Sequence, residues 1–389
     1  MNNNKGYHIG FLELYLPIYC ILMFYPLEGA GSYGQAILFL YFIIYFFKHG
    51  FHGFNPPKGL IYFIIPLYPL QAIVFYLYGG FTIERLINLV MIFVYLILLG
   101  CLKVNINGLL KVYKYVAIIA SVLIIVQFVQ INVFGQVVYT ILLLPIERPE
   151  AWYLEGIRPQ GLFPEPQVYA TFILPLLVKT ILKKDYRLAI FLTLSIAFST
   201  SSLGILSSAF VWLSLFVFSD SQKRHRTLYL SIFLICLAIC TQLSVFDFAI
   251  NKILETNFEE NVRLTRGFYI YSELPTINKF LGIGVNNLDF WLEHGKLTLI
   301  DSITALMRHA GYITTMSELL VNFGLFLTII YLGWLWNLYK NSEEKIMVVL
   351  LFVLSFGQTI LFSGIWYFYM IFILNTLNSN NNCFLHKDR

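Results

Sequence analysis

The sequence predicts an all-α polytopic membrane protein with about twelve transmembrane helices. Hydrophobic residues make up 58% of the 389 residues and charged residues only 12%, about half the charged share of a typical soluble domain. Apolar runs of roughly 20 residues, the length that an α-helix needs to cross a bilayer, recur along the whole chain. The alternating segments of about 10 residues that build a transmembrane β-barrel are absent. Helices are the expected spanning structure, because a helix satisfies its own backbone hydrogen bonds in lipid.

Twelve apolar runs are interpreted as spans. The first run lacks the small-residue cleavage site of a signal peptide, so we expect it to be a span. The last two runs could form one tilted helix, but the Ser-Gly pair in FSGIWYFY favours a hairpin. The predicted spans are residues 10–27, 33–47, 59–79, 83–102, 112–133, 167–182, 187–201, 203–219, 227–245, 310–338, 345–361 and 364–377.

The distribution of basic residues predicts the orientation of these spans. Most of the 26 lysine and arginine residues lie in alternate connecting segments, and short positively charged loops favour the cytoplasmic side. We therefore expect both termini in the cytoplasm and a single integral membrane domain over residues 1–389. Glu13 lies near the cytoplasmic end of the first span, where we expect it to be hydrated.

Two long connections, residues 134–166 and 246–309, fall on the outer side of this topology. In the second connection Leu264, Phe268 and Tyr271 recur at helical spacing, which predicts amphipathic helices. The five cysteines lie in apolar runs or in the C-terminal tail, without the spacing of a metal site or a disulfide framework. We therefore expect no bound metal.

Charged residues at the end of the first outer connection, in RPQGLFPEPQVYA (residues 158–170), are candidates for ligand binding. Arg158 presents a planar, permanently charged fork that suits phosphate oxygens; the alternative is a solvated loop arginine. Glu165 stands between two prolines just before a predicted span. It either benefits from the dipole at a helix N-terminus or accepts a proton at the membrane surface.

The second outer connection carries two arginines and a histidine of interest. Arg263 and Arg266 share one helical face, although Glu259 stands four residues before Arg263 and favours a surface ion pair. His309 follows Arg308 at the entrance to the tenth span, where it can exchange protons or bind an anion.

The tenth span is predicted as one continuous helix over residues 310–338. On such a helix Tyr312 shares the side of His309. Glu318 comes nine residues after His309, so the prediction is that the two side chains face opposite sides and cannot form a dyad.

Three sequence blocks resemble the motifs of a known family, in the family's order. They are RPQGLFPEPQVYA, then RLTRGFYIYSELPTINKFLGIGVNN with Gly282 and Gly284 in a G-x-G turn, then HAGYITTMSELLVNFGLF. Over residues 158–338 these blocks are similar to O-antigen polymerases and O-antigen ligases, whereas the first half of the chain matches only in hydropathy. Many members have Ser-Arg where this chain has Ser201 and Ser202.

The resemblance implies a GT-C-like glycosyltransferase that needs neither metal nor cofactor, in the bacterial inner membrane with its active site facing the periplasm. The implied substrate is an undecaprenyl-pyrophosphate-linked oligosaccharide. Membrane lipids and a polysaccharide co-polymerase that regulates chain length are implied partners, and no nucleic acid is expected. Carried over by position, the pyrophosphate ligands are Arg158 and Arg263, with Arg266 as the second choice for the latter. The implied base is Glu165 or His309, and the supporting residues are Arg308, Tyr312, Gly282 and Gly284.

Three functions stay open at this point. The leading one is a repeat-unit polymerase, because Pro-Glu-Pro looks more like polysaccharide polymerases than the Asn-Pro-Asn often found in ligases. The second is an O-antigen ligase, which moves the finished polymer onto the lipid A core. The third is a flippase or transporter of lipid-linked glycans, which predicts charged residues in the middle of the membrane, where this chain has almost none.

Overall fold

The computed structural model describes residues 10–27, 31–50, 57–101, 104–147, 158–218, 262–297 and 313–381. These ranges form helices joined by connecting segments, and no β-strand is present within them. Four helical stretches are long and apolar enough to cross a membrane, and seven further apolar helices are shorter. The four long stretches are Lys58–Tyr78, Ile83–Gly100, Ile106–Asn132 and Thr315–Asn341. The described chain is therefore all-helical and has the helices of a membrane-spanning protein.

A helix lies at every predicted span that falls within the described residues. The ninth predicted span, residues 227–245, lies outside them. In chain order the helices are α1 (Phe11–Leu22), α2 (Tyr33–His49), α3 (Lys58–Tyr78), α4 (Ile83–Cys101), α5 (Ile106–Asn132), α6 (Pro166–Leu182), α7 (Tyr186–Phe198), α8 (Ser202–Phe218), α9 (Val262–Glu273), α10 (Thr276–Leu281), α11 (Leu288–Glu293), α12 (Thr315–Glu318), α13 (Gly324–Asn341), α14 (Lys345–Gly357) and α15 (Gly364–Asn381). The last two predicted spans are separate helices, as expected from the Ser-Gly pair.

The first of two compact units combines Met1–Phe24 with Asn105–Thr256. In it α5 packs on α1, α6 and α7, and α6 packs on α7 and α8. The buried Tyr169 hydroxyl on α6 is hydrogen-bonded to Ser121 Oγ on α5 at 2.9 Å and to Ser195 Oγ on α7 at 2.7 Å. Three helices are thus joined by polar contacts that lipid cannot supply.

Glu13 contradicts the expectation that it is hydrated. Its side chain is 7% exposed, and its Oε1 accepts a hydrogen bond of 2.8 Å from the backbone N–H of Asn105, which caps α5. The first backbone N–H groups of a helix have no partner within the helix, and a carboxylate near that end is favoured by the helix dipole. The acid therefore ties α1 to the start of α5.

The second unit combines Tyr25–Val104 with Asn257–Arg389. In it α13 packs on α3, α10, α14 and α15, and α4 packs on α2 and α15. An aromatic cluster fills its core: the ring of Phe63 lies 6.0 Å from that of Phe323 and 5.8 Å from that of Tyr331. The indole N–H of Trp366 donates a hydrogen bond of 2.9 Å to the Tyr331 hydroxyl, so this buried polar pair is satisfied.

The tenth predicted span is not one continuous helix. Thr314 has extended backbone (φ −79°, ψ 160°), and the helix begins at Thr315. A π-helical turn follows at Leu319–Phe323, called the π turn below, and Gly324, the first residue of α13, has a left-handed φ of +74°. The prediction that His309 and Glu318 face opposite sides of one helix was therefore wrong in its premise, because residues 313 and 314 are not helical.

Candidate functional site

The first unit holds Arg158 and Glu165 at the two ends of a buried segment, residues 158–165, called the arginine loop below. Residues 159–164 are buried, whereas Arg158 and Glu165 are half-buried. Gln127, near the end of α5, accepts hydrogen bonds from the backbone N–H groups of Gln160 at 2.8 Å and Gly161 at 2.7 Å. The loop is therefore a packed structure whose two charged ends are its more accessible parts.

Arg158 is oriented by the turn between α7 and α8. Its Nε donates to Thr200 Oγ1 at 3.4 Å, and its Nη2 donates to the Thr200 carbonyl oxygen at 3.1 Å. Because a guanidinium is planar and rigid, two contacts to one residue fix the plane of the whole group.

Glu165 is the N-cap residue of α6, with Pro166 in the first helical position. Its backbone is extended (φ −140°, ψ 148°), and its side chain makes no capping hydrogen bond to the first turn. A carboxylate here is favoured by the helix dipole, which fits the structural alternative stated above.

In the second unit the G-x-G turn packs directly on the π turn. The backbone N–H of Ile283 donates to the Val321 carbonyl at 2.9 Å, and that of Gly284 donates to the Asn322 carbonyl at 3.1 Å. Gly282 has a φ of +79°, and a Cβ on it would lie 2.4 Å from the Asn322 carbonyl oxygen. The turn needs glycine because its backbone approaches another backbone and satisfies carbonyls at the helix break.

Helix α9 packs closely on α12 and on the π turn. A Cβ on Gly267 would lie 2.1 Å from Ser317 Oγ, so only glycine allows this approach. Arg266 precedes that contact on α9 and is 5% exposed, and burial lowers the pKa of its guanidinium from the usual value. This crossing therefore places two charged residues on neighbouring helices: the buried Arg266 on α9 and Glu318, which follows Ser317, on α12.

A cavity of about 270 Å³ opens beside this crossing and is called the polar cavity below. Glu318 and Asn286 also line a smaller adjoining cavity of about 80 Å³. The polar cavity is lined by Glu84, Arg85, Asn286, Leu288, Asp289, Ile313, Glu318, Asn322 and Thr359. Within the described ranges, no group of three or more His, Cys, Asp and Glu side chains is arranged to hold a metal ion.

Arg85 builds one wall of the polar cavity. Its Nε donates to the Asn286 carbonyl at 3.0 Å, and its Nη1 donates to the Gly80 carbonyl. The arginine therefore holds the turn between α3 and α4 against the segment that follows the G-x-G turn.

Sequence reasoning had not singled out Arg85, Gln71 or Asn322, although each lies inside a predicted span. A polar residue within a span is a functional candidate by default, and that signal alone would have found them.

The structure brings some of the sequence-predicted site residues together and leaves others undescribed. Arg266, Gly282 and Gly284 belong to elements that pack on the helix break of the second unit. Arg263 lies on the same helix, but its side chain is outside what the structure describes. Arg308, His309 and Tyr312 lie outside the described residues, and Arg158 and Glu165 belong to the first unit.

No protein-family model matches this chain, and no curated protein matches it in sequence.

Proposed function

We propose that this chain is a GT-C-like membrane glycosyltransferase that polymerises polysaccharide repeat units carried on undecaprenyl pyrophosphate. The acceptor hydroxyl oxygen bonds to the anomeric carbon of the donor glycan, and the bond between that carbon and the pyrophosphate oxygen breaks. The electron pair leaves with undecaprenyl pyrophosphate, and the proton of the hydroxyl passes to a protein base. A single displacement of this kind inverts the anomeric centre and needs no metal.

One observation carries the proposal: two of the three resembling sequence blocks belong to one structural feature. The G-x-G turn of the second block donates hydrogen bonds to the helix break of the third block, and Gly267 of the second block contacts Ser317 of the third. The polar cavity lies beside these contacts. A water-accessible polar cleft at the end of membrane helices suits chemistry on a lipid headgroup, because the lipid arrives from the bilayer and the glycan stays in water.

The proposed roles follow from the chemistry of each side chain. Arg158 and Arg263, with Arg266 as the alternative to Arg263, neutralise the negative charge that develops on the leaving pyrophosphate. Glu165 or His309 accepts the acceptor's proton. In this proposal the chain crosses the inner membrane twelve times, both termini are cytoplasmic and the site faces the periplasm.

The experiment is alanine replacement of Arg158, Arg263 and His309 in the native host, with the surface polysaccharide analysed on gels. We expect each variant to lose long-chain polysaccharide, because each removes a charge or a proton carrier from the reaction. The matched control is Arg187→Ala, an exposed arginine at the start of α7, which should leave the pattern unchanged. Normal long-chain polysaccharide in all three site variants, at wild-type protein levels, would refute the proposal.

The same gels separate the proposed function from its alternatives. Loss of a polymerase leaves the lipid A core bearing one repeat unit, whereas loss of a ligase leaves the core bearing none. Translocation of lipid-linked glycan by the purified protein alone, without polymer formation, would identify a flippase instead.

A further inference from the structure

The polar cavity contains two buried hydrogen-bond acceptors that lack donors within the described part of the chain. They are Glu318 Oε2 and Asn322 Oδ1. Asn322 is 2% exposed, and its side-chain amide lies beside the Glu318 carboxylate. The two residues lie one helical turn apart, so they face the cavity as a pair. Buried acceptors without donors are unfavourable, so this pair calls for a ligand or water that donates hydrogen bonds.

The other lining residues indicate which ligand fits. Among the lining residues that the structure describes, the acids Glu84, Asp289 and Glu318 outnumber the cation Arg85, and Arg85 already donates to two backbone carbonyls. An anionic phosphate would meet excess negative charge here. A neutral, hydroxyl-rich group would instead donate hydrogen bonds to the carboxylates and to the side-chain oxygen of Asn322 (Oδ1).

The size of the polar cavity suits one sugar residue. Its volume of about 270 Å³ lies just below the range of roughly 300–1,000 Å³ that is usual for pockets binding drug-sized molecules. Leu288 and Ile313 supply apolar lining for the C–H faces of a sugar ring, and Asn286 and Asp289 are exposed at the edge, where they can reach a second residue of a glycan.

We infer that the polar cavity binds the sugar that carries the acceptor hydroxyl, and that Glu318 is the group that receives its proton. The inference rests on the proposed function, because it assigns the acceptor subsite of that reaction and places its base at Glu318 instead of Glu165 or His309. The acceptor oxygen bonds to the donor's anomeric carbon as its proton moves to Glu318, and undecaprenyl pyrophosphate leaves. The helix crossing at Gly267 and Ser317 keeps Arg266 and Glu318 on neighbouring elements.

The kinetic test uses the full-length protein in lipid nanodiscs, with the lipid-linked repeat unit purified from the host as substrate. We expect Glu318→Gln to lower kcat about 100-fold or more, as loss of a general base does, with a smaller change in KM. Glu318→Asp keeps a proton acceptor and should lose less activity than Glu318→Gln. A purely structural role predicts the reverse order, because glutamine has the shape of glutamate and aspartate does not.

The matched control is Glu344→Gln, which neutralises another buried acid of the second unit, just before α14. It should retain wild-type kcat, which would show that removing a buried carboxylate is not harmful in itself. Wild-type kcat in Glu318→Gln, or a greater loss in Glu318→Asp than in Glu318→Gln, overturns the inference and leaves the proposed function standing.

A binding measurement separates failure of the inference from failure of the proposed function. The probes are the lipid-free repeat-unit oligosaccharide and undecaprenyl pyrophosphate alone. We expect Asn322→Ala to weaken binding of the oligosaccharide about 10-fold and to leave that of undecaprenyl pyrophosphate unchanged. If the wild-type protein makes no polymer but Asn322→Ala still weakens oligosaccharide binding, the proposed function fails and the sugar site stands. Unchanged oligosaccharide binding in Asn322→Ala overturns the sugar site.

Discussion

Gln71 shows how one amide side chain can organise a site from within a membrane helix. It lies in α3 and is 1% exposed. Its Oε1 accepts a hydrogen bond of 2.7 Å from the Val285 backbone N–H, and its Nε2 lies 3.5 Å from the Asn322 carbonyl oxygen. A buried amide is tolerated only when it is hydrogen-bonded, so Gln71 fits here because it joins the segment after the G-x-G turn to the π turn.

Replacing Gln71 by leucine should destabilise the second unit. The substitution leaves the buried Val285 N–H without its acceptor, which costs about 1–3 kcal/mol in the free energy of unfolding. Thermal unfolding in detergent measures the effect as a lower Tm. The control is Gln130→Leu, a half-buried glutamine of α5, which should change Tm little. Equal Tm values for wild type and Gln71→Leu would contradict this role.

At the scale of elements, the broken helix depends on Gly324. A Cβ on it would lie 2.3 Å from the Phe280 carbonyl oxygen and 2.4 Å from the Gly282 backbone nitrogen. Its φ of +74° is also one that residues with a Cβ rarely adopt. The break therefore results from both a backbone conformation and a close approach that glycine alone permits.

We expect Gly324→Ala to lower the free energy of unfolding by about 2 kcal/mol or more, from left-handed strain and backbone overlap together. Gly333→Ala is the matched control on the same helix, because a Cβ there meets no atom within 4 Å. It should stabilise the helix by about 0.5–1 kcal/mol. Thermal unfolding should show a lower Tm than wild type for Gly324→Ala and a higher Tm for Gly333→Ala. Equal Tm values for the two variants would show that the helix break tolerates a side chain.

The helices were predictable from sequence and the contacts between them were not. Runs of apolar residues fix where a membrane helix begins and ends to within a few residues, so α2, α3 and α4 agree closely with their predicted spans. The break at Gly324 stayed hidden because hydropathy does not report backbone dihedral angles. Arg158 and Glu165 were selected from the sequence because they stand in a polar loop, whereas the contact that Arg85 makes could not be predicted because its acceptor Asn286 lies 201 residues away in the sequence.

At the scale of the whole molecule, the orientation in the membrane stays a prediction, and one contact in each unit joins segments that this prediction assigns to the same side. In the first unit Lys114 forms an ion pair of 3.4 Å with Asp185, and both lie on the predicted cytoplasmic side. In the second unit the Asn375 amide donates to the Val104 carbonyl at 3.1 Å, again between segments predicted to share that side.

Cysteine labelling tests the orientation directly. In a background without the five native cysteines, Gln136→Cys lies in the first outer connection and Glu343→Cys between α13 and α14, and both positions are exposed. A membrane-impermeant thiol reagent added to intact spheroplasts should label Gln136→Cys, and should label Glu343→Cys only after permeabilisation. The opposite pattern would invert the topology and remove the proposed site from the periplasm.

The packing of the arginine loop bears on how tightly the headgroup in the proposed function would bind. A mobile loop must lose conformational entropy each time it closes on a ligand. Here that loss has already occurred during folding, because Gln127 and the surrounding side chains hold the middle of the loop in place. In the proposed function, Arg158 would therefore meet the pyrophosphate in a fixed orientation, and loosening the loop through Gln127 should weaken that binding without removing any charge.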